Sequence, residues 1–589
     1  MAITSALSTS LTGLSANQAA LNVIGNNIAN VNTTGFKASA LDFKTEFSQN
    51  FSYGSAPNGN NGGSNPIQVG MGVQQGAITR NFGDGSTVGT GVDSNLAIQG
   101  DGFFILQGPT TSYTRDGNFQ LNANNELVNA DGLHVQGFGV DANFNVVPGV
   151  LQNLTIPLGT MTIAQATTNI PVSGNLNASG VIPSAVSTNT LDQPLYVTNG
   201  SGGTTGTAPT AATLLSQLTD ANGNPLFASG ETLGFGGTRG VSSTGNTTTS
   251  TQTIATQSLP VTATTTLGDL LNFMQGTAGI DTSTGANGSI ATTPGAALIA
   301  GPAGAAQIQI NGNVGTANSI ALDPNSLSIT NAGTTTNPFS WTNVPSDGES
   351  ISTATTIYDS LGTPLAANVT LSLSSKTNAG TTWQFYATSP NGSATGPNIQ
   401  DAIGTGTISF DTNGDYLSST NNSATINRAN TGATPNLTFS IDFSHLTAQS
   451  NSTPGISIST TPGTGGGAPT GTLVSYSIGG DGIITGKFDN SLQRSLGQVA
   501  LATFRNDEGL VDLGDNNFAV GANSGTPIVS APGQFSAGKL TPDALENSNV
   551  DLSAEFVKLI SASTGFSAAS RVITTANQLL QSLLASVQG

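Results

Sequence analysis

NVDLSAEFVKLISASTGFSAASRVITTANQLLQSLLASVQG, residues Asn549 to Gly589, closes the 589-residue chain. Counting in sevens from Leu552 meets Leu559, Phe566, Ile573, Leu580 and Val587, all apolar, and a second row three residues on gives Ala562, Ala569, Ala576 and Leu583. Two such rows make a coiled-coil-like seam on one long helix. Ser548, three residues before Asp551, has capping-box spacing, which satisfies free N–H groups and sets a negative charge at the positive end of the helix dipole. A stripe this long needs cover. It packs either on its own domain or on other copies of the chain.

The opposite end repeats the pattern. Leu7, Leu14, Leu21 and Ile28 are spaced by sevens, Leu11 and Ile24 widen the stripe, and Asn32-Thr33-Thr34-Gly35 is a stop signal with Gly available for a left-handed cap. No charged side chain precedes Lys37. A solvated lone helix usually carries charged pairs four residues apart, whereas uncharged Ser, Thr, Asn and Gln faces suit helices packed on several sides. Leu7, Leu14, Leu21, Ile28, Leu552, Leu559, Phe566, Ile573, Leu580 and Leu583 are therefore the expected subunit-interface residues.

The wording of these ends is distinctive. Gly13-Leu14-Ser15-Ala16 with Asn26-Asn27-Ile28-Ala29-Asn30-Val31-Asn32-Thr33-Thr34-Gly35-Phe36-Lys37 resembles the N-terminal signature of the bacterial flagellar rod and hook family. Asn547-Ser548-Asn549-Val550-Asp551-Leu552-Ser553 resembles its C-terminal signature. Agreement continues inward at Ala97–Phe104, Tyr113–Phe119 and Ser475–Gln498, and Ile357-Tyr358-Asp359-Ser360-Leu361-Gly362 is similar to a segment of the hook subunit; residues 185–345 have no such match. The C-terminal helix departs at Ser561–Ser567, SASTGFS, where the family carries longer polar and Tyr side chains.

Composition bounds the alternatives. Only 8% of residues are charged, against about 25% in an average soluble protein, and the net charge is −19. Phosphate backbones and anionic membranes are repelled by such a chain, so neither nucleic-acid binding nor membrane insertion is expected. Cysteine is absent, which removes disulfides and thiolate metal sites. The N-terminus has no basic region followed by an apolar run, so no cleaved secretory peptide is expected, and no segment is long and apolar enough to span a bilayer as a helix.

Between the helices the chain reads as β-structure, with 75 Gly and 24 Phe among recurrent Val, Ile and Thr. Asp-Gly pairs at 84–85, 101–102, 116–117 and 131–132 are favoured hairpin turns, because Gly takes positive φ without steric cost. Strands are expected near Ala354–Ser374 and Trp383–Thr388, and a short helix at Leu267–Met274. The expected fold is mainly β and multidomain, with nested β-domains and long terminal helices forming a coiled-coil-like inner domain. Its divisions are an inner helical domain from 1–40 and 545–589, an extended linker at 41–68, a β-rich middle domain from 69–176 and 472–540, an outer β-domain from 177–186 and 346–471, and an outermost insert at 187–345.

Chemistry is nearly present in three places. Gly533–Lys539, GQFSAGK, matches a phosphate-loop pattern, but Leu540 stands where Ser or Thr must bind Mg²⁺ and Pro542 opposes the helix. Asp411-Thr412-Asn413-Gly414-Asp415 opens like a calcium loop, yet Tyr416 replaces Gly and Asn422 replaces Glu, so a hairpin turn is expected. Gly463–Gly471 is Gly-rich but contains Pro469 and opens no helix. His134 and His445, the two histidines, lack partners at ligand or triad spacing. No enzyme, metal or cofactor is expected.

The resemblance implies a structural subunit of the flagellar hook, the curved tube coupling motor rod to filament and transmitting torque. Implied partners are identical copies, the distal rod protein and hook–filament junction protein at the two ends, and the hook cap and flagellar type III export apparatus during assembly. It also implies export through that channel on uncleaved N-terminal information. A shorter rod subunit of the same family is the nearest alternative. A secreted β-rich adhesin or glycan-active protein is the alternative of another class, and it leaves both helical signatures unexplained.

Overall fold

A computed structural model describes residues 2–198, 204, 207–242, 249–392, 399–451 and 454–588. The chain forms two compact units, one built from Met1–Met161, Leu473–Phe488 and Gln493–Gly589, the other from Thr162–Thr472 and Asp489–Leu492. The second is thus inserted into the sequence of the first. Mainly β-structure lies between an N-terminal helix, Ala2–Ala29, and a C-terminal helix, Leu552–Gln588.

In the first unit an antiparallel sheet runs in the order Ile483–Phe488, Gln493–Val499, His134–Val140, Phe103–Gln107, Thr111–Thr114, Asn517–Ala519, Val511–Gly514. Phe103, Ile105, Tyr113, Phe138 and Phe518 fill its core with Phe82 and Phe504. The aromatic rings meet edge to face, Tyr113 on Phe504 at 4.9 Å and Phe82 on Phe103 at 5.4 Å, the arrangement their quadrupoles favour. The chain leaves for the C-terminal helix beside the segment that brought it in: Leu96–Gln99 pairs with Lys539–Pro542, and Thr87–Gly89 with Ala544–Glu546.

Residues 41–68, expected as an extended linker, are extended but paired. Ser39–Thr45 pairs with Val73–Arg80, and Ser48–Ser52 with Ile67–Gly70. Bridges Ser55 to Ser64 and Asn58 to Asn61 continue the ladder to a tip, so residues 39–80 form one long hairpin arm. Its Gly and Asn residues are consumed in turns and bulges, which the composition alone reads as a linker. Of the four Asp-Gly pairs, only Asp131-Gly132 joins neighbouring strands, 127–128 and 134–140. The others lead to strands paired elsewhere; at Gly117 an added Cβ would lie 1.7 Å from the Leu96 carbonyl oxygen, so there Gly serves a close backbone approach.

The second unit holds two cores. One is a two-sheet sandwich: Ser350–Tyr358, Pro364–Thr377, Gly380–Thr388, Ala402–Phe410 and Tyr416–Ser419 form one sheet, and Ser423–Asn427, Asn436–Gln449, Asn169–Asn177 and Gly455–Ile458 the other. Trp383, Phe385, Phe410, Phe439 and Phe443 close between them. Ile170, Val172 and Leu176, in the last stretch of the expected middle domain, point into this sandwich. The other core gathers Phe227, Phe235, Phe273, Phe339 and Trp341 around the helix Leu267–Thr277. Thr266 and Asp269 cap that helix reciprocally, which fixes its start. The two ends of this core's segment are zipped to each other: Thr188 pairs with Val344 and Leu191 with Trp341, while Asp347 accepts hydrogen bonds from the Ser184 and Ala185 N–H groups at 2.7 Å each. The two cores touch where the Asp401 N–H donates to the Gly276 carbonyl at 3.1 Å, beside the buried Arg239, whose guanidinium donates to the Ala278 carbonyl of its own core.

Candidate assembly interface

The terminal helices lie against one another in antiparallel sense. Asn27 reaches Glu555 at 3.2 Å near one end, and Ala20 and Ile24 pack with Leu559 and Ala562 one turn on. An added Cβ at Gly565 would lie 2.8 Å from Asn17 Oδ1 further along. Small residues make this approach possible: Ala16, Ala20, Ala562 and Ala576 are buried. At 1.5 Å per residue the 37-residue C-terminal helix is about 56 Å long and the 28-residue N-terminal helix about 42 Å, so the longer one runs past its partner.

The heptad residues divide accordingly. Leu7, Leu14, Leu21, Ile28, Leu559, Phe566, Ile573 and Leu580 are half-buried, while Leu552 and Leu583 are exposed. Leu21, Ile28 and Leu559 belong to the cluster between the chain's own helices. Other apolar side chains remain in solvent: Phe556 at 50% exposure, Ile560 at 66% and Leu579 at 54%. The capping expectation shifts by three residues, because Asp551 rather than Ser548 accepts the Ser553 and Ala554 N–H groups, at 2.9 and 3.2 Å. The helix begins at Leu552, which places Asp551 at the capping position.

Where the helices root in the β-domain, the two terminal signatures interlock. Asn27 exchanges two hydrogen bonds with the Ser39 backbone, at 2.7 and 2.9 Å. Asn549 accepts from the Ala38 N–H and donates to the Asn81 and Gly83 carbonyls. Gly35 sits at φ +67°, and an added Cβ would lie 2.6 Å from the Asp116 nitrogen, so conformation and space both demand glycine. Beneath them is a buried ion cluster: Lys37 Nζ lies 2.6 Å from Glu546 Oε1, and Arg115 Nη1 lies 3.5 Å from Oε2 and 3.4 Å from Asp84. Glu546 also accepts the Gly85 N–H at 2.8 Å. Burial pushes the Lys37 ammonium below its usual pKa and Arg115 adds to this, with Glu546 opposing. Nothing local marks this cluster in the sequence, since Glu546 lies far along the chain from Lys37, Asp84 and Arg115.

The hairpin arm is the larger surface missed in the sequence. Phe47 is 87% and Tyr53 85% exposed, and Phe43, Phe51, Ile67, Val69, Met71 and Ile78 are exposed too. Two strands without a third or a covering helix are marginal in water. At its base the arm meets the N-terminal helix, with the Val73 N–H donating to Thr12 Oγ1 at 3.3 Å.

The nearly present motifs resolve as structure. Gly533–Gly538 is a turn, with Lys539 opening a strand. Asp411 Oδ1 accepts the Asn413 and Asp415 N–H groups at 2.8 Å each, capping a hairpin turn between the strands ending at Phe410 and starting at Tyr416. His134 lies 3.6 Å from Glu126 and His445 3.8 Å from Asp442, both as local pairs. In the segment 357–362, Asp359 organises the turn: it accepts the Leu361 and Thr363 N–H groups and holds Arg428 at 3.0 Å.

Four family descriptions match in order along the chain: flagella basal body rod protein at 7–37, flagellar hook protein FlgE/F/G D1 domain at 97–178, flagellar basal body protein FlaE D2 domain at 318–463, and flagellar basal body rod FlgEFG protein C-terminal at 542–586. The flagellar hook protein FlgE of Helicobacter pylori is 28% identical, across 97% of this chain and 98% of that protein. That of Escherichia coli is 27% identical across 98% and 99% respectively. A crystal structure of Helicobacter pylori FlgE2 aligns at 17% identity with a TM-score of 0.37, covering 78% of this chain and all of that one. With hook proteins matched from end to end, and both terminal signatures locked together around Glu546 and Asn549, the chain belongs to the flagellar hook protein family.

Proposed function

We propose that this chain self-assembles into the flagellar hook, with the terminal helices and the hairpin arm as its contact surfaces between copies. The observation that carries this reading is the arm: aromatic and aliphatic side chains line both of its strands, and only neighbouring copies supply cover for them in a uniform polymer. A heterologous contact that does not close on itself builds a helical tube without a template. The half-buried heptad residues complete their burial against other subunits, and the exposed row with Phe556, Ile560 and Leu579 meets them. The nested segment 187–345 acts as an outermost module, the sandwich with 346–471 as the one beneath it, and the chain travels through the flagellar export apparatus to stand outside the cell. Rod and junction proteins meet the ends of the tube and a cap guides its growth. A rod subunit is the weaker reading, because hook proteins match over nearly the full length.

Hydrogen exchange through residues 39–80 and both helices, in dispersed protein and in concentrated samples imaged by electron microscopy, tests this. Tubes or curved polymers with strongly slowed exchange in the arm are expected. Dispersed particles at every concentration, or polymers whose arm exchanges as in the monomer, overturn it.

A further inference from the structure

Two consecutive residues that are not glycine adopt left-handed backbone in the turn after Ser530: Phe535 at φ 48° and Ser536 at φ 68°. The same happens at Asp515 and Asn516, φ 50° and 57°, where short polar side chains tolerate it in a hairpin. An aromatic residue does not share that tolerance. The turn is nonetheless pinned: Gly533 N–H donates to the Gly538 carbonyl at 2.9 Å, Ala537 N–H to Gln534 at 2.8 Å, and Gly538 N–H to Asp101 at 2.6 Å. Its product is a phenylalanine held out at 78% exposure, and at the end of the same turn the exposed Lys539 lays its stem along the Gly533 backbone. Strain held in place by surrounding bonds and spent on exposing an aromatic ring marks a contact site.

The same domain carries a matching receiver. Val511–Gly514 ends the sheet path; among the described residues its one strand partner is Asn517–Ala519, and Asp512 between Val511 and Leu513 is paired with Arg80 at 2.6 Å. Val511 is 52% and Leu513 55% exposed, an apolar edge of the kind proteins normally blunt or cover. Asp515 is exposed at its end. Copies with a net charge of −19 repel one another, so a contact that brings one of only 13 basic side chains to a carboxylate is favoured over a neutral one.

We infer that Phe535 and Lys539 of one subunit dock on the Val511, Leu513 and Asp515 edge of the next, a head-to-tail contact between β-domains that is separate from the helices and the arm. This rests on the hook-polymer reading above. Because knob and receiver are different surfaces, the contact propagates instead of closing.

The test uses full-length protein seeded with its own sheared polymer. Phe535→Gly relieves the backbone strain and removes the ring, so the monomer melts at the same temperature or higher while the critical concentration rises tenfold or more, equivalent to about 1.4 kcal/mol per contact. Lys539→Glu and Asp515→Lys each weaken assembly, and the double variant recovers most of the loss. Phe535→Gly polymerising at the wild-type concentration, or a double variant no better than its parents, overturns this contact and leaves the hook reading standing. Wild-type protein that yields no polymer to shear into seeds overturns the hook reading and this contact with it.

Discussion

Leu559 and Ile560 are adjacent on the C-terminal helix yet face different environments, and replacing each with Asp separates packing inside the subunit from packing between subunits. Leu559 lies in the cluster with Ala20, Ile24 and Ala562, whereas Ile560 is 66% exposed. Full burial of an isoleucine side chain contributes about 1.5–3 kcal/mol, so covering the two-thirds still in water contributes about 1–2 kcal/mol per contact. At 1.4 kcal/mol per tenfold, Ile560→Asp raises the critical concentration by about 5- to 30-fold, and the stranded carboxylate adds to that. The monomer is indifferent to it. Leu559→Asp opens the helix pair itself, at a cost of about 2–4 kcal/mol, and weakens assembly as well. Exchange rates across 2–29 and 552–588, read beside sedimentation of polymer, distinguish the two, with Ser582→Asp, also exposed, as the control for charge. Ile560→Asp assembling within about twofold of wild type, or Leu559→Asp leaving helix exchange in the monomer unchanged, refutes this assignment of faces.

Glu546→Gln strands Lys37 and Arg115 in a site where Lys37 and Glu546 side chains have no exposure, so urea unfolding of the first unit is expected to lose about 3–5 kcal/mol; a loss below about 1 kcal/mol contradicts the clamp. Asp401 has its pKa raised to about 7, chiefly by burial with Arg239 opposing, so the folded chain holds a proton that the unfolded chain has released between about pH 4 and 7. Stability of the second unit therefore falls as pH rises through that window, by up to about 4 kcal/mol, and Asp401→Asn flattens the thermal melts from pH 4 to 8. Asp359 shows the opposite sign: burial raises its pKa, but hydrogen bonds from Thr363, Leu361 and Arg428 hold it below the usual carboxylate value, so its contribution is present above about pH 4 and is lost on acidification. Asp359→Ala is expected to destabilise the sandwich by about 3 kcal/mol at pH 7 and to weaken its acid dependence, as read by melts at pH 3 and 7.

What the sequence displays depends on how far apart the interacting residues lie. The two helices are legible because their period repeats within each segment, and the helix at Leu267 because Thr266 and Asp269 cap it three residues apart. Asp131-Gly132 is legible for the same local reason. Asp101-Gly102 misleads because Leu96–Gln99, just before it, pairs with Lys539–Pro542 far along the chain. The arm is hidden for a different reason: from Asp42 to Phe51 every residue but Glu46 is exposed, Phe43, Phe47 and Phe51 included, so no buried face imposes alternation there. The ion cluster and the Phe535 turn depend on tertiary placement, which local pattern does not encode. Of the surfaces proposed for assembly, the heptad rows are visible in the sequence and the arm is not, and for the rows periodicity does not say whether Leu559 meets its own subunit or another.

The zipped ends of the 187–345 segment have a consequence for the chain's design history. Closing a long flexible loop costs entropy that grows with its length, but here strands 188–191 and 341–344, with Asp347 bonded to the 184–185 backbone, already hold the two ends at hydrogen-bonding distance. For chain closure alone, the sandwich sees the whole segment as it would a tight turn; the bonds from Asp401 N–H to Gly276 and from Tyr386 to Ala286 are further contacts between them. A module joined in this way can be lengthened, shortened or exchanged for another fold with little effect on the closure term, which makes the neck a place to graft foreign domains.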